Sequence, residues 1–390
     1  MSLLGMEIGV VGGGIGGLTA ALALAQRGAQ VTVLEQAEAI NEVGAGLQIS
    51  PNGMCVLRAL GLGTEIAERA VQAQAVELRD YKRADLVTRL DLSLLAEDQL
   101  YYFVHRADLI DVLAKSCRDA GVSIRLLQKA CGVTPGDRPQ VSLAQHANLH
   151  ADLIIAADGL HSVARKALNG SSAPFFTQQV AWRTTVPNTV NHPSAARVHM
   201  GPKRHVVSYP LREGKLVNLV AVQERHEWAE EGWAFKDDPA NMQQVFADFG
   251  GDIPKLMAGA KSVGLWGLFR HPVAKHWVGE NVALLGDAAH PTLPFMAQGA
   301  VMAIEDAWVL ADSLARCDST EAGLAMYQSR RFDRVSKIVE TANGNAKKYH
   351  ISNPLLRTVA HSGMRALGKV VPSKMMGQFD WIYRHDVTAE

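Results

Sequence analysis

The sequence is poor in cysteine and carries no excess charge of either sign. Its 390 residues include 4 cysteines, Cys55, Cys117, Cys131 and Cys317, with no Cys-x-x-Cys pair. This spacing argues against a disulfide framework and a structural zinc site, and it favours a reducing cytoplasm. The 39 basic residues cancel the 39 acidic ones without forming a dense basic block. We therefore expect neither nucleic acid nor a membrane surface as a partner.

Long hydrophobic runs and the motifs of other enzyme classes are also missing. The one uncharged run, Ile8–Ala25, contains five glycines between Gly12 and Gly17, so we expect a strand and a helix there rather than a membrane span. The segment also lacks the basic leader of a signal peptide. No G-x-S-x-G motif occurs, and none of the 14 histidines has a convincing metal-ligand spacing. We expect neither a serine hydrolase nor a metal site.

What the sequence does contain begins with a βαβ pattern. Apolar periodicity predicts a strand over Glu7–Val11, a helix over Ile15–Arg27 and a second strand over Gln30–Leu34. With 48% hydrophobic residues, the chain can fill the cores of two or three domains. These features predict a globular α/β protein.

The first strand-to-helix turn carries a nucleotide fingerprint. Gly12, Gly14 and Gly17 form the pattern G-x-G-x-x-G, and Glu35 stands at the end of the second strand, where an acid binds a nucleotide ribose. A glycine-rich turn alone is an ordinary structural feature. Here the strand, the helix and the acid follow in the required order, so the unit is predicted to bind a dinucleotide, either NAD or FAD.

Two acids that follow later strands distinguish these cofactors. Asp158 follows the buried strand predicted over Ala151–Ala156, and Asp287 follows the one over Val282–Leu285. NAD needs one ribose-facing acid near its fingerprint, whereas the longer ribityl chain of FAD needs further contacts along the sheet. The sequence therefore favours FAD.

A long helix is predicted directly after the second acid. From about Gly299, apolar residues recur at helical spacing as far as Leu314. Backbone N–H groups near Gln298–Ala300 and the helix dipole are expected to stabilise negative charge on a reduced flavin. Pro291 and Pro294 stiffen the preceding loop, which is expected to shape the pocket where flavin and substrate meet.

The pattern of strands predicts two interleaved domains. An FAD-binding domain is predicted over 1–70, 101–175 and 275–345, a substrate domain over 71–100 and 176–274, and a C-terminal helical segment over 346–390. The strands predicted for the substrate domain are Val71–Arg83, Leu86–Leu92, Gln178–Val186, Arg197–Met200, His205–Pro210 and Leu216–Gln223. In the first domain, the predictions are a flexible loop over Gly44–Gln48 and a small β-meander from Ser123–Leu127, Gly132–Pro135 and Gln140–Leu143.

Three motifs in this order resemble one enzyme family. They are GGGIGG at Gly12–Gly17, ADG at Ala157–Gly159 and GDAAHP at Gly286–Pro291, with FDWIYRHD near the C-terminus. The combination resembles the single-component flavin-dependent aromatic hydroxylases, the group of salicylate hydroxylase, 3-hydroxybenzoate 6-hydroxylase and 6-hydroxynicotinate 3-monooxygenase. The resemblance implies an α/β fold with a Rossmann-type FAD-binding domain, an inserted β-sheet substrate domain and a C-terminal helical region. It also implies NADH or NADPH as the electron donor.

The resemblance assigns roles to individual residues. Glu35 is expected to bind the adenosine ribose, Arg106 in the motif HRADL the pyrophosphate, and Asp287 the ribityl hydroxyls. Asp158 is expected to contact FAD or the reduced nicotinamide. The cofactor-binding set implied in this way is Gly12, Gly14, Ile15, Gly17, Glu35, Gln48, Arg106, Asp158, Asp287, Pro294, Gly299 and Ala300. The structural alternatives are a helix-start charge for Arg106 and a helix cap for Asp158.

His205 and Tyr209 are the catalytic candidates. Reduced flavin and oxygen give a flavin hydroperoxide, which attacks electron-rich rings, and removal of a phenol proton enriches the ring. His205, Val207 and Tyr209 are two residues apart along one predicted strand and therefore lie on the same face. This H-x-x-x-Y pattern resembles the family's phenol-activating histidine and substrate-contacting tyrosine. A lone strand histidine is often only structural, which is also the expectation for His161 and His290.

The substrate is predicted only as a class. We expect a small phenolic or hydroxy-heteroaromatic acid, with molecular oxygen as the second substrate. Arg183, Arg204 and Arg212 are each able to meet a carboxylate, although arginines are more often exposed. A urate-type hydroxylase and a flavin dehydrogenase or oxidase that acts on another small heterocycle remain as alternatives. The chain is expected to be a monomer or a homodimer.

Overall fold

The structure, a computed structural model, describes residues 3–40, 45–225 and 235–390. Its strands are β1 (Glu7–Val11), β2 (Gln30–Leu34), β3 (Gly46–Ile49), β4 (Val71–Gln72), β5 (Ala75–Asp80), β6 (Leu86–Asp91), β7 (Tyr102–His105), β8 (Ser123–Arg125), β9 (Ala130–Thr134), β10 (Gln140–Leu143), β11 (Leu149–His150), β12 (Leu153–Ala156), β13 (Phe175–Pro187), β14 (Ala195–Gly201), β15 (Arg204–Leu211), β16 (Leu216–Glu224), β17 (Lys236–Asp237), β18 (Val263–Arg270), β19 (Val278–Gly279) and β20 (Val282–Leu284). Its helices are α1 (Ile15–Ala25), α2 (Pro51–Ala59), α3 (Gly63–Arg69), α4 (Arg106–Asp119), α5 (Val163–Asn169), α6 (Pro239–Val245), α7 (Ile253–Ala258), α8 (Gly299–Arg316), α9 (Thr320–Tyr349), α10 (Pro354–Val370), α11 (Pro372–Gly377) and α12 (Asp380–Tyr383).

A six-stranded sheet in the order β19-β20-β12-β1-β2-β8 forms the Rossmann-type core. Its strands run parallel except for the edge strand β19. The central strands are apolar because they are buried on both faces, and α1 packs against α4 and α8. The carboxyl ends of β1, β12 and β20 therefore meet at one edge of the sheet, where Gly12, Asp158 and Asp287 follow them.

An eight-stranded sheet in the order β17-β18-β13-β16-β15-β14-β5-β6 forms the second layer. Neighbouring strands are antiparallel except for β14 and β5, which pair in parallel. One face of this sheet is covered by α6 and α7. The opposite face packs against Leu293 and Phe295, in the loop between β20 and α8. This loop therefore lies between the two sheets.

The structure corrects three local predictions. Ser123–Arg125 is not part of the β-meander but pairs in parallel with β2, because α4 returns the chain to the edge of the six-stranded sheet. The loop predicted over Gly44–Gln48 is wrong from residue 46 on, since β3 pairs with β7; residue 44 lies outside the described residues. The strand predicted over Val71–Arg83 is split into β4 and β5, which join different sheets.

The chain is mostly helical from α8 onwards. The helix α9 extends over 30 residues and packs along α8. Met376, Ile382 and Tyr383 pack with Phe103 and Tyr209, so α11 and α12 cover one end of the eight-stranded sheet. No helix in the described ranges is both long and apolar enough to cross a membrane. The domain limits predicted from the sequence stay predictions.

Candidate active site

The turn after β1 has the geometry of a phosphate-binding loop. Gly12 has a φ of +102°, and a Cβ atom there would lie 2.4 Å from the carbonyl oxygen of Ala157. A Cβ on Gly17 would lie 2.0 Å from the carbonyl oxygen of Gly12, so neither position admits a side chain. A Cβ on Gly14 would meet no atom within 4 Å. The turn therefore leaves space for a pyrophosphate at the N-terminus of α1, which begins at Ile15.

Glu35 is anchored at the carboxyl end of β2. Its Oε2 accepts the N–H of Gly13 at 2.7 Å, and its Oε1 accepts the N–H of Ala37 at 2.8 Å. Each carboxylate oxygen keeps a further acceptor site. The anchored carboxylate is therefore able to receive ribose hydroxyls beside the phosphate turn.

The two carboxylate oxygens of Asp158, which follows β12, have different environments. Its Oδ2 accepts the N–H of Val163 at 2.8 Å and caps α5. Its Oδ1 is buried and has no hydrogen-bond partner within the described part of the chain. Burial raises the pKa of Asp158, against the hydrogen bonds from Ser162 and Val163. Oδ2 therefore has the helix-capping role that was predicted as the structural alternative for Asp158. Oδ1 remains available to a ligand.

Asp287 lies in the turn Gly286–Ala288 and shares an internal cleft with two arginines. It keeps exposed surface, yet burial raises its pKa, so its carboxylate borders a space enclosed by protein. Arg106, the first residue of α4, opposes this rise. Burial, together with the nearby Arg183, lowers the pKa of Arg106 to about 10, while Asp287 raises it. The fold thus brings Asp287, Arg106 and Arg183 together from three distant segments.

The N-terminus of α8 is held in place by buried amides. The N–H groups of its first turn, at Gly299 and Ala300, have no intrahelical acceptor. Gln298 precedes them and is 2% exposed. Its Nε2 donates to Ser50 Oγ at 2.9 Å, and its Oε1 accepts from Asn52 Nδ2 at 3.2 Å. These bonds fix the direction in which the helix presents its N–H groups.

Gln48 and Pro294 are the remaining predicted cofactor residues. Gln48, on β3, accepts a hydrogen bond from the hydroxyl of Tyr101 at 2.9 Å. Pro294 begins the 3-10 turn Pro294–Met296. Ala297 follows this turn with a φ of +53°, a left-handed conformation that leads the chain into α8. Both residues lie on segments that border the space between the sheets.

A buried ionic network lies behind the loop before α8, and sequence reasoning missed it. Asp306 Oδ1 is 2.8 Å from Arg331 Nε, and Arg331 Nη2 is 2.6 Å from Glu305 Oε2. All three side chains are at most 1% exposed. Asp306 Oδ2 is also 2.6 Å from His290 Nε2 and accepts the N–H of Gly286 at 3.1 Å. The network therefore fixes the acid-bearing turn. Its signal in the sequence is the pair Glu305-Asp306 inside an apolar helix.

Arg334 completes what we call the paired network, namely Glu305, Asp306, Arg331 and Arg334. Its Nη2 donates to Glu305 Oε1 at 2.8 Å. Burial alone would raise the pKa of Glu305, but Arg331 and Arg334 lower it to about 2. Asn52 Nδ2 also donates to Glu305 Oε1 at 2.6 Å. The network thus joins α8 and α9 to the start of α2.

Strand register assembles three functional candidates on one face of the eight-stranded sheet. His205, Val207 and Tyr209 lie opposite Val222, Val220 and Asn218, which lie opposite Ala181, Arg183 and Thr185. Residues directly opposite in a sheet share a face. We call this the inner face, because Ala181, Val220 and Val222 pack against the loop before α8. Arg183 lies in the row between those of His205 and Tyr209.

Tyr209 is enclosed by the small sheet that contains β3. Its ring centroid is 5.1 Å from that of Phe103, and a Cβ on Gly46 would lie 2.5 Å from the tyrosine ring. Asn218 fixes this approach, because its Oδ1 accepts the N–H of Gly46 at 2.7 Å. Burial raises the pKa of Tyr209, and Arg183 opposes the rise. Tyr209 therefore stays a neutral hydroxyl at ordinary pH.

His205 lies at the other end of the inner face. It is 1% exposed, and its ring centroid is 5.3 Å from that of Phe295 and 5.4 Å from that of Tyr349. Its Nδ1 is 2.7 Å from His350 Nε2. Burial, assisted by His350, lowers the pKa of His205 well below its ordinary value. A neutral His205 is able to accept a proton.

The three arginines considered as carboxylate partners have different surroundings. Arg204 is 3.0 Å from Asp248, and Arg212 holds Asp108 with two hydrogen bonds of 3.0 and 2.7 Å. Arg183 lies 4.9 Å from the ring centroid of Trp266. Within the residues described, no carboxylate pairs with Arg183, and its Nε has no hydrogen-bond partner. Burial lowers its pKa although some surface stays accessible, so Arg183 borders the internal space.

The chain is similar to one protein family and to several known oxygenases. The FAD binding domain family matches residues 5–342. The 3-hydroxybenzoate 6-hydroxylase of Klebsiella oxytoca is 34% identical over 362 residues, 87% of this chain and 88% of that protein. The 3-amino-4-hydroxybenzoate 2-monooxygenase PtnB3 of Streptomyces platensis is 33% identical over 354 residues, 88% and 89% of the two chains. HpxO of Klebsiella pneumoniae, complexed with FAD and uric acid, has a TM-score of 0.85 at 25% identity, covering 96% of this chain and 97% of that one.

Proposed function

This chain belongs to the family of FAD-dependent aromatic hydroxylases, and from that premise we propose that it hydroxylates a small anionic phenol or hydroxy-heteroaromatic acid. Electrons come from NADH or NADPH, and the inserted oxygen comes from molecular oxygen. His205 acts as the base that activates the substrate hydroxyl. Tyr209 and Arg183 hold the ring and its acidic group.

The residues at the carboxyl ends of β1, β2 and β20 fit FAD. The open space at Gly14 receives the pyrophosphate, Glu35 the adenosine ribose and Asp287 the ribityl hydroxyls. Arg106 adds positive charge on the pyrophosphate side. FAD held by these residues would supply oxygen activation, with NADH or NADPH as the electron source. The N-terminus of α8 would stabilise negative charge on a reduced flavin.

The observation that carries the proposal is the position of Arg183 between His205 and Tyr209. A buried guanidinium without a carboxylate partner is costly unless a ligand supplies one. Arg183 belongs to the row of the inner face between the other two residues. Along β15, the Cα atoms of His205 and Tyr209 are about 13 Å apart, by the rise of a strand. That spacing is large enough for one aromatic ring to lie between the two side chains.

Water must be excluded for oxygen transfer to compete with peroxide release. Phe295 and Tyr349 pack around His205, and Phe103 packs on Tyr209. Asp306 of the paired network holds Gly286 and His290 at the start of the loop that carries Phe295. These aromatic side chains therefore exclude water from the site on both sides of Arg183.

The test is a panel of aromatic acids incubated with FAD-loaded protein. The panel contains 3-hydroxybenzoate, 3-amino-4-hydroxybenzoate, salicylate, 6-hydroxynicotinate and their decarboxylated phenols. NADH and NADPH oxidation, oxygen uptake and product mass are measured together. We expect at least one acid to gain one oxygen atom from labelled oxygen gas, and its decarboxylated phenol to react poorly. Equal turnover of acids and plain phenols would contradict the role of Arg183.

A second candidate is hydroxylation of a urate-like heterocycle. Its support is the similarity to HpxO, whose structure holds FAD and uric acid. Urate is therefore added to the panel, and incorporation of oxygen into urate alone would favour this candidate. Reduction of the flavin by a panel compound without NADH or NADPH would instead indicate a dehydrogenase or an oxidase.

A further inference from the structure

Two side chains, those of His350 and Glu224, connect the buried His205 with the protein surface. His205 Nδ1 is 2.7 Å from His350 Nε2, and His350 Nδ1 is 2.9 Å from Glu224 Oε1. His205 is 1% exposed and His350 is 4% exposed, whereas the side chain of Glu224 is 38% exposed. The three residues come from β15, from the residue after α9 and from the end of β16. They form one continuous line of hydrogen bonds from the inner face to water.

The carboxylate at the outer end sets the tautomer of both imidazoles. Glu224 only accepts, so His350 Nδ1 carries the hydrogen of that bond. A neutral His350 then has a lone pair on Nε2, and His205 Nδ1 must donate to it. His205 Nε2 is consequently left with its lone pair. Within the described residues, no protein atom is hydrogen-bonded to this Nε2, so it is available to a substrate hydroxyl.

The outer end of the chain opens into solvent. Glu224 lines a surface pocket together with Lys203, Arg204 and Gln223. Lys203 and Arg204 add positive charge to the same pocket. The only other titratable group packed against His205 in the described structure is Tyr349, whose pKa burial raises to about 12. In the part of the chain that the structure describes, Glu224 is the one carboxylate hydrogen-bonded to either imidazole.

We propose that His205, His350 and Glu224 form a relay that carries the substrate's hydroxyl proton out of the closed site. The proposal rests on the role of His205 as the base in the proposed function. His350 and Glu224 are positioning and relay residues, since neither touches the substrate. The relay explains how a site that excludes water still loses a proton at each turnover.

The transfer balances at every atom. The substrate O–H bond breaks as the Nε2–H bond of His205 forms. The Nδ1–H bond of His205 breaks as the Nε2–H bond of His350 forms, and the Nδ1–H bond of His350 breaks as Glu224 gains the proton and passes it to water. The substrate is left as a phenolate. Reprotonation of the product oxygen through the same atoms returns both imidazoles to their starting tautomers.

The electrostatic surroundings agree with a relay of neutral imidazoles. Burial lowers the pKa of His350, and Glu224 opposes this change. Burial and His350 lower the pKa of His205. Each ring therefore carries a single N–H at neutral pH, and each can accept a proton on one nitrogen while it releases one from the other.

The experiment measures proton release when the oxidised holoenzyme binds a phenolic acid. The probe is 3-hydroxybenzoate or 3-amino-4-hydroxybenzoate, whichever turns over faster. Stopped-flow traces follow phenolate absorbance and a pH indicator for wild type, His350→Ala, His350→Gln, Glu224→Gln and Glu224→Asp. His361→Ala is the matched control, because His361 is also 4% exposed and lies 3.7 Å from a carboxylate, that of Asp80.

We expect both histidine variants to slow proton release by about 10²-fold, in the range of one lost proton-transfer group. Glu224→Gln is expected to slow it about 10-fold and to flatten the pH profile of kcat, while Glu224→Asp retains most of the wild-type rate. Added imidazole should restore His350→Ala but not Glu224→Gln. The flavin spectrum should be unchanged throughout, and His361→Ala should match wild type.

The outcomes separate the relay from the proposed function. If His205→Ala is impaired while His350→Ala, His350→Gln and Glu224→Gln release protons at the wild-type rate, the relay is wrong and the base assignment stands. If His205→Ala itself releases protons at the wild-type rate, the base assignment fails and the relay fails with it. Loss of rate in His350→Ala that imidazole does not restore, with a wild-type rate in His350→Gln, indicates a packing role and contradicts the relay.

Discussion

Two buried groups of charged residues lie on opposite sides of the loop between β20 and α8, and they are built differently. In the paired network, two carboxylates meet two guanidiniums within hydrogen-bonding distance. On the inner face, Arg183 has no carboxylate partner in the described residues and borders an internal space. Burying either group of charges costs desolvation energy, but only in the paired network do ion pairs within the protein offset that cost. Under the proposed function, the paired network supports the fold and Arg183 binds the substrate.

The largest expected effect is a loss of stability when the paired network is disrupted. Arg331→Met leaves Glu305 and Asp306 buried with one of their cations removed, and we expect the free energy of unfolding to fall by about 3–5 kcal/mol. Arg330→Met is the matched control. Arg330 is half-buried and pairs with Asp312 and Glu390, so its loss should cost no more than about 1 kcal/mol. Urea unfolding measures both, and equal losses would remove the distinction between the two groups.

The acid stability of the protein should reflect the same carboxylates. The pKa of Glu305 is lowered to about 2, and that of Asp306 is also lowered. Groups with a depressed folded pKa stabilise the fold above their unfolded pKa, and that stability is lost as the pH falls through the folded value. We expect the free energy of unfolding to fall by roughly 3 kcal/mol between about pH 5 and pH 2. In Arg331→Met, this dependence should weaken, and an unchanged slope would contradict the assignment.

On the inner face, the larger effect is expected at His205. His205→Ala should lower kcat by about 10²-fold or more, because the phenol loses its base, while FAD stays bound. His199→Ala is the control. His199 is also buried, but it pairs with Val206 and so belongs to the opposite face of the sheet. Its loss should reduce stability without changing kcat, and a wild-type pH profile in His205→Ala would remove His205 from the chemistry.

The smallest of these effects is expected at Arg183. Arg183→Gln should raise KM for an aromatic acid by about 10–150-fold, corresponding to the loss of one charged hydrogen bond of about 1.5–3 kcal/mol. The free energy of unfolding should not fall, because no partner in the protein loses its charge. Arg212→Gln, which releases Asp108 at the surface, is the control and should leave KM unchanged. A large loss of stability in Arg183→Gln would show that its partner is protein.

Local sequence patterns were sufficient where one segment determines its own structure. The strand Glu7–Val11, the strand Gln30–Leu34 and the helix that begins at Ile15 follow from periodicity over a few residues. The open position at Gly14 and the closed positions at Gly12 and Gly17 follow from one motif. Alternation along β15 likewise put His205 and Tyr209 on one face.

Pairings between distant segments could not be predicted in the same way. Nothing near Ser123 indicates that it extends the six-stranded sheet, since the partner strand β2 lies far back in the chain. No local sequence pattern ranks Arg183, Arg204 and Arg212 as ligands, and only the tertiary fold gives carboxylates to two of them. His350 gave no signal, because its partners, His205 and Glu224, lie 145 and 126 positions away.

The helix α9 connects the paired network with the surroundings of His205. It carries Arg331 behind the loop before α8 and ends at Tyr349, beside His205. About 27 Å of regular helix separate the two positions, and one inserted residue would turn one end by about 100° relative to the other. Variation in length should therefore be confined to the turns before Thr320 and after His350. One continuous helix thus sets the spacing between the paired network and the surroundings of His205, which limits how this scaffold can change in size.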